Sequence, residues 1–175
     1  MKKNNSHLIH TSLLIVSFFV SLYLLGFSNL NFLNKDWLYL GDLFQYQIGW
    51  EFFRHDSWRF PLGFNPNYGL ELGNSIVFTD SIPLFAFIFK LFKNFLPENF
   101  QYFSLWIFLS IYLQLLFSYL IIFNLTKNFY FSIISIFFFS LAPIFLHRSG
   151  IHLSLMGQWI ILFSFYIELN NSKSK

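Results

Sequence analysis

The chain has 175 residues, of which 55% are hydrophobic, 24% aromatic and only 11% charged. A soluble domain carries about 25% charged residues, so this composition excludes a water-solvated globule and points to an all-α integral membrane protein. The net charge of +3 is small and dispersed, which excludes a nucleic-acid footprint; without cysteine there is no disulfide, thiolate metal ligand or cysteine nucleophile.

The length allows four or five membrane-spanning helices, each needing about 20 apolar residues. A polar head with Lys2 and Lys3 precedes an apolar run at 8–27. That run is longer than the core of a cleaved signal peptide and lacks a small-residue cleavage site, so it reads as a first span. The two lysines put the N-terminus in the cytoplasm of a cell (inner) membrane and the following segment outside. Residues 28–75 form a long outer loop. Its middle is interrupted by Pro61, Gly63, Pro66 and Gly69, which forbid regular helix. Before that interruption, Phe44, Ile48 and Phe52 recur every four residues, predicting an interfacial amphipathic helix that starts near Asp42. On it, Glu51 stands at pairing distance from Arg54 and His55.

The run 76–96 is either interfacial or spanning. Asp80 and Pro83 lie in its first third, Lys90 and Lys93 near its end, and its purely apolar part is too short to cross about 30 Å. Spans follow at 101–123, 129–146 and 153–169. A polar turn containing Lys127 separates the first two, and the polar island 147–152 separates the last two. A non-spanning 76–96 gives four spans and keeps Lys127, Lys173 and Lys175 cytoplasmic, with 147–152 on the side of the large loop. A spanning one gives five and reverses 147–152. The four-span arrangement is the one favoured here.

The chemistry concentrates at 41–80 and 147–152. Asp42 reads either as a helix N-cap or as a surface carboxylate serving as general base or ligand to a divalent cation. Asp80 also reads as a cap, but an ionisable group in an apolar segment is a functional candidate. Arg148 offers a fork that matches phosphate, beside His147 and His152; the plainer alternative is that all three anchor at headgroup depth. The two histidines are five residues apart, a poor zinc pair. Gln45 sits one turn from Asp42, on the side available to a substrate.

The stretches 41–45, 58–61, 65–69 and 75–83 (Gly-Asp-Leu-Phe-Gln, Trp-Arg-Phe-Pro, Asn-Pro-Asn-Tyr-Gly and Ser-Ile-Val-Phe-Thr-Asp-Ser-Ile-Pro) resemble the N-terminal part of an uncharacterised bacterial multi-spanning membrane family. That family in turn resembles the N-terminal module of the GT-C superfamily of glycosyltransferases, which use lipid-linked phosphosugars. The resemblance implies a first span leading into an outer loop with an acid near its start, the position of Asp42. It implies interfacial helices where 76–96 stands, and a later outward mouth where 147–152 stands, although this mouth has no acid. It implies that the chain is the N-terminal part of a longer architecture, completed by a missing C-terminal part or a partner subunit.

The expected function is therefore a membrane glycosyltransferase-like module acting on a polyprenyl-phosphate sugar among membrane lipid. Asp42 and Asp80 would be catalytic, and Arg148, His152, Gln45 and His147 substrate-binding. The alternative is a non-catalytic membrane subunit or lipid-binding scaffold, with the loop as its docking surface.

Overall fold

A computed structural model describes residues 3–172; Lys2, Lys173 and Lys175, which enter the orientation argument, lie outside the described residues. The chain is predominantly helical. Its elements are α1 (Lys3–Asn29), α2 (Leu43–His55), β1 (Phe64–Asn65), β2 (Asn74–Ser75), α3 (Pro83–Leu91), α4 (Phe103–Thr126), α5 (Phe129–Ser140), α6 (Pro143–Ile151) and α7 (Trp159–Asn171), with short 3-10 turns between several of them.

Among the described residues two helices, 7–29 and 103–126, are long and apolar enough to cross a membrane, and three if the bent pair α5–α6 counts as one crossing. α4 is apolar all round, as a helix enclosed by protein and lipid must be. Its 24 residues rise about 36 Å, and it packs against α1, α5 and α7. Small residues allow the close approaches. Ser17 and Ser21 of α1 are buried, with hydroxyls donating to the carbonyls of Leu13 (2.7 Å) and Ser17 (2.8 Å) one turn back, so these two hydroxyls are satisfied within their own helix. Ser135 of α5 donates across to the Ser118 carbonyl of α4 at 3.3 Å, and His10 Nδ1 meets the Tyr112 hydroxyl at 2.9 Å between α1 and α4. At one end of the bundle Asn124 donates to Asn170 at 2.8 Å, joining the last turns of α4 and α7.

The apolar run 129–146 is not one straight rod. Pro143 lacks an N–H and forces Ala142 out of helical geometry (ψ 121°), so α5 and α6 meet at a 44° bend. The polar island 147–152 is not a loop either: His147 and Arg148 lie on α6, which runs through Ile151. The run 153–169 divides into a 3-10 turn, Leu153–Gln158, and the 13-residue α7. In 76–96 the regular helix is only α3, nine residues rising about 14 Å, well short of the roughly 30 Å apolar layer.

Residues 30–102 build a lobe around α2. Its core is aromatic: Trp50 lies edge-on to Tyr102, Phe89 stacks on Tyr102, and Phe85 meets Trp106 of α4 edge-on. The two-residue strands pair antiparallel, Phe64 with Ser75 and Asn65 with Asn74, and close the loop between them. Arg54, expected beside Glu51, instead turns inward. It is 5% exposed, and its guanidinium donates to the carbonyls of Leu96 (2.6 Å), Pro97 (2.8 Å), Glu98 (3.2 Å) and Lys93 (3.5 Å). One planar fork thus gathers four carbonyls of the segment 93–98 that follows α3. Glu51 pairs with Lys35 at 2.7 Å and accepts from Gln47 at 2.7 Å. Burial alone would push its carboxyl up, but these two donors hold it below the ordinary value.

Candidate functional site

The chemistry of the lobe is organised by Tyr46, which sequence reasoning missed. It lies on the first full turn of α2, one helical repeat from Asp42, and is 2% exposed. Its hydroxyl donates to the Ile151 carbonyl at 3.1 Å and lies 3.4 Å from His152 Nδ1. The start of α2 is thereby joined to the end of α6, 105 residues away. Trp106 seals the same junction from α4 by donating to the Leu153 carbonyl at 2.6 Å.

The Tyr46 hydroxyl also reads the charges of the candidates. Burial pushes it up to about 12, and the carboxylates of Asp80 and Asp42 push in the same direction; the Leu153 backbone N–H and the Arg148 guanidinium oppose them. Asp42, Asp80 and Arg148 thus act on one hydroxyl, which His152 touches. At neutral pH Tyr46 is a phenol, a fixed donor rather than an anion.

Asp42 and Asp80 are both exposed. Neither caps a helix by its side chain: Asp42 precedes α2 without a side-chain bond to its N–H groups, and Asp80 follows the 3-10 turn Ile76–Thr79 in left-handed geometry (φ 55°). The helix start at Pro83 is reached through Ile82, also left-handed at φ 51° and buried. A β-branched residue in that region is a true outlier, and such strain costs about 1–3 kcal/mol and gathers at functional sites. Packing holds the turn in place. Ser81 Oγ donates to the Tyr46 carbonyl at 2.7 Å and meets Thr79 Oγ1 at 2.7 Å, and Tyr102 donates to the Ser81 carbonyl.

Gln45 is exposed, and its amide donates to the Phe78 carbonyl at 3.3 Å, so it ties the Asp80 turn to α2. Arg148 and His152 are half-buried and His147 is exposed on α6. Among the described residues no group of three or more His, Asp or Glu is arranged to hold a metal. An apolar cavity of about 500 Å³, lined by Leu8, Leu13, Tyr119, Phe123 and Ile133 among others, lies towards the opposite ends of α1 and α4 and is no part of this site.

No single residue pattern announces Tyr46. The available signal was its place one turn after Asp42 on a helix whose other face was already assigned to the interface.

Fold and site together define a helical membrane protein whose apolar helices carry a folded lobe. The chain belongs to a family described as Domain of unknown function (DUF6311), whose model matches residues 14–175. No curated protein and no solved structure matches it.

Proposed function

We propose that the chain is a glycosyltransferase-like module that handles a lipid-linked phosphosugar at the outer face of the cell (inner) membrane. In this reading the N-terminus is cytoplasmic and the chain crosses four times: α1, α4, the bent pair α5–α6, and the 3-10 turn with α7. The Asn124–Asn170 bond supports one crossing each by α5–α6 and by the segment with α7, since it brings the ends of α4 and α7 to one side.

The observation that carries the functional reading is the Tyr46 hydroxyl joining α2 to the Ile151 carbonyl and His152, with Asp42, Asp80 and Arg148 all within electrostatic range of it. Transfer from a polyprenyl-phosphate sugar breaks the bond between the anomeric carbon and a phosphate oxygen and forms one to an acceptor hydroxyl. The acceptor proton passes to a carboxylate, the role assigned to Asp42, and the bonding electron pair leaves with the phosphate. Arg148, with His152 and His147, supplies charge-assisted donors to that departing phosphate. Asp80 is the second carboxylate, facing the anomeric centre as it gains positive character. Tyr46 holds the two halves in register.

The test uses the chain in proteoliposomes with radiolabelled polyprenyl-phosphate mannose and polyprenyl-phosphate glucose, reading release of polyprenyl phosphate. Asp42→Asn should reduce turnover by about 10²–10⁴-fold, the range for losing a general base, and Arg148→Ala should reduce it comparably. Full retention of turnover in Asp42→Asn would sink the catalytic assignment. Unchanged donor binding with no turnover in the unsubstituted chain would favour the lipid-binding scaffold.

A further inference from the structure

A second cavity lies on the lobe, at the other end of α2. It measures about 460 Å³ and is lined by Glu51, Phe52, His55, Asp56 and Asn67. That size falls within the roughly 300–1,000 Å³ of small-molecule sites. From Asp42 to Asp56 the chain rises about 21 Å along the helix axis, so this cavity is separate from the Tyr46 site.

Its wall holds an unmet demand for hydrogen bonds. Asp56 is 6% exposed; its Oδ1 accepts from the Asn67 amide, but its Oδ2 has no partner. Buried carboxylate oxygens are rarely left so. On Glu51, the two donors Lys35 and Gln47 both go to Oε1. His55 is held with one ring nitrogen 2.7 Å from the Glu51 carbonyl and the other 2.9 Å from Glu98. Phe52 presents a half-open ring, braced edge-on by Tyr68.

Cations already stand near both carboxylates. Glu51 has Lys35 in contact, and Asp56 lies in the field of the Lys90 ammonium, while Lys93 reaches the Asp56 carbonyl at 3.5 Å. The cavity therefore needs hydrogen-bond donors rather than another cation. A neutral ligand with several hydroxyl groups and one C–H face meets that need: hydroxyls donate to Asp56 and Glu51, and the C–H face lies on Phe52.

We infer that the Glu51–Asp56–Asn67 cavity is a sugar-binding site, taking a neutral pyranose ring against Phe52. It stands on its own geometry and does not require the Tyr46 site to be catalytic.

The experiment is saturation-transfer NMR on the full chain in a sugar-free zwitterionic detergent. The probes are methyl α-D-mannopyranoside, methyl β-D-glucopyranoside and N-acetylglucosamine, with ethanolamine as the cationic probe. Transfer should reach the ring protons of at least one sugar. Asp56→Asn should weaken apparent affinity about tenfold, as for losing one hydrogen bond to a charged group. Phe52→Ala, at a partly exposed position, should weaken it similarly. The inference is overturned by silence from all three sugars, by undiminished transfer in Phe52→Ala, or by ethanolamine displacing the bound sugar.

Discussion

Gly49→Ala is the sharpest probe of how the lobe holds Asp80. A Cβ at position 49 would lie 2.4 Å from both Thr79 Cβ and Oγ1, and 2.5 Å from Ser81 Oγ. Carbon atoms pack at about 3.5–4.0 Å, so the overlap exceeds 1 Å. Thr79 cannot swing aside, because it is buried and donates to the Ile76 carbonyl at 2.9 Å, and its Cβ is fixed by the backbone. The whole turn 76–81 must move away from α2. Such overpacking costs about 1–3 kcal/mol, and losing the Ser81–Tyr46 bond adds about 1 kcal/mol. Better helix propensity returns about 0.5–1 kcal/mol. The net loss is about 1–3 kcal/mol, which at about 2–4 °C per kcal/mol lowers the melting temperature by roughly 2–12 °C. Intrinsic-fluorescence melting of the detergent-solubilised variant measures this. Gly150→Ala is the internal control: nothing lies within 4 Å of its added Cβ, so the helix term alone should raise stability by about 0.5–1 kcal/mol. If Gly49→Ala melts at or above the unsubstituted protein, the packing argument is wrong.

Other outcomes follow from single contacts. Tyr46→Phe removes the hydroxyl bonds to Ile151 and His152 and should cost about 1–2 kcal/mol in melting assays. It should also abolish an alkaline loss of stability: with the folded group near 12 and the unfolded one at 10, the stabilisation is present below pH 10 and lost between 10 and 12. Arg54→Met takes the guanidinium from the Leu96 and Glu98 carbonyls, while those of Lys93 and Pro97 keep backbone donors, and should cost about 2–3 kcal/mol, with proteolysis at 93–98 as a second readout. Lys90 is 1% exposed, its Nζ 3.7 Å from the Phe53 ring centre and 4.7 Å from that of Trp58. Burial pulls it down to about 8, with Lys93 acting in the same direction. The unfolded chain therefore binds more protons between pH 8 and 10.5, so stability should rise with pH across that window. Lys90→Met should flatten the rise, and an unchanged slope would contradict it. Because the chain has no cysteine, Gly150→Cys can be labelled selectively; an impermeant maleimide should reach it from the same side as a cysteine at exposed Leu70, and opposite sides would break the four-crossing topology.

The parts of the fold that were legible in the sequence are those set by local hydrophobic length. The spans at 8–27 and 101–123 coincide with α1 and α4 because a long apolar run without proline has one low-energy solution in lipid. The amphipathic start of α2 was legible for the same reason, since a four-residue period survives in any context. What local pattern could not show was the fate of charge. Arg54 and Glu51 have suitable spacing for a helix pair, yet each finds a better non-local partner: carbonyls 39 to 44 residues away for the arginine, and Lys35 for the glutamate. An isolated pair of that kind contributes only a few tenths of a kcal/mol, too little to hold either side chain against a buried fork or a close lysine. The 129–146 run misled in a different way, because hydropathy counts Pro143 as one residue among many while the backbone responds to it with a 44° bend.

That bend bears on the site. A straight helix through 129–151 would carry His147 and Arg148 along the axis of α5. Redirected at Ala142, α6 instead ends where Tyr46 can donate to the Ile151 carbonyl. The acids come from the lobe and the cations from the bundle, and the contacts between them at this point are the phenol on Ile151 and His152. The strained Asp80–Ile82 turn is fastened to the carbonyl of the same tyrosine through Ser81. One residue is thus gripped at its backbone by the carboxylate-bearing turn and at its hydroxyl by the cation-bearing helix. A displacement of either side must register at the other, which is why Gly49→Ala, though it touches none of the candidate residues, should impair any chemistry that needs Asp80 and Arg148 together.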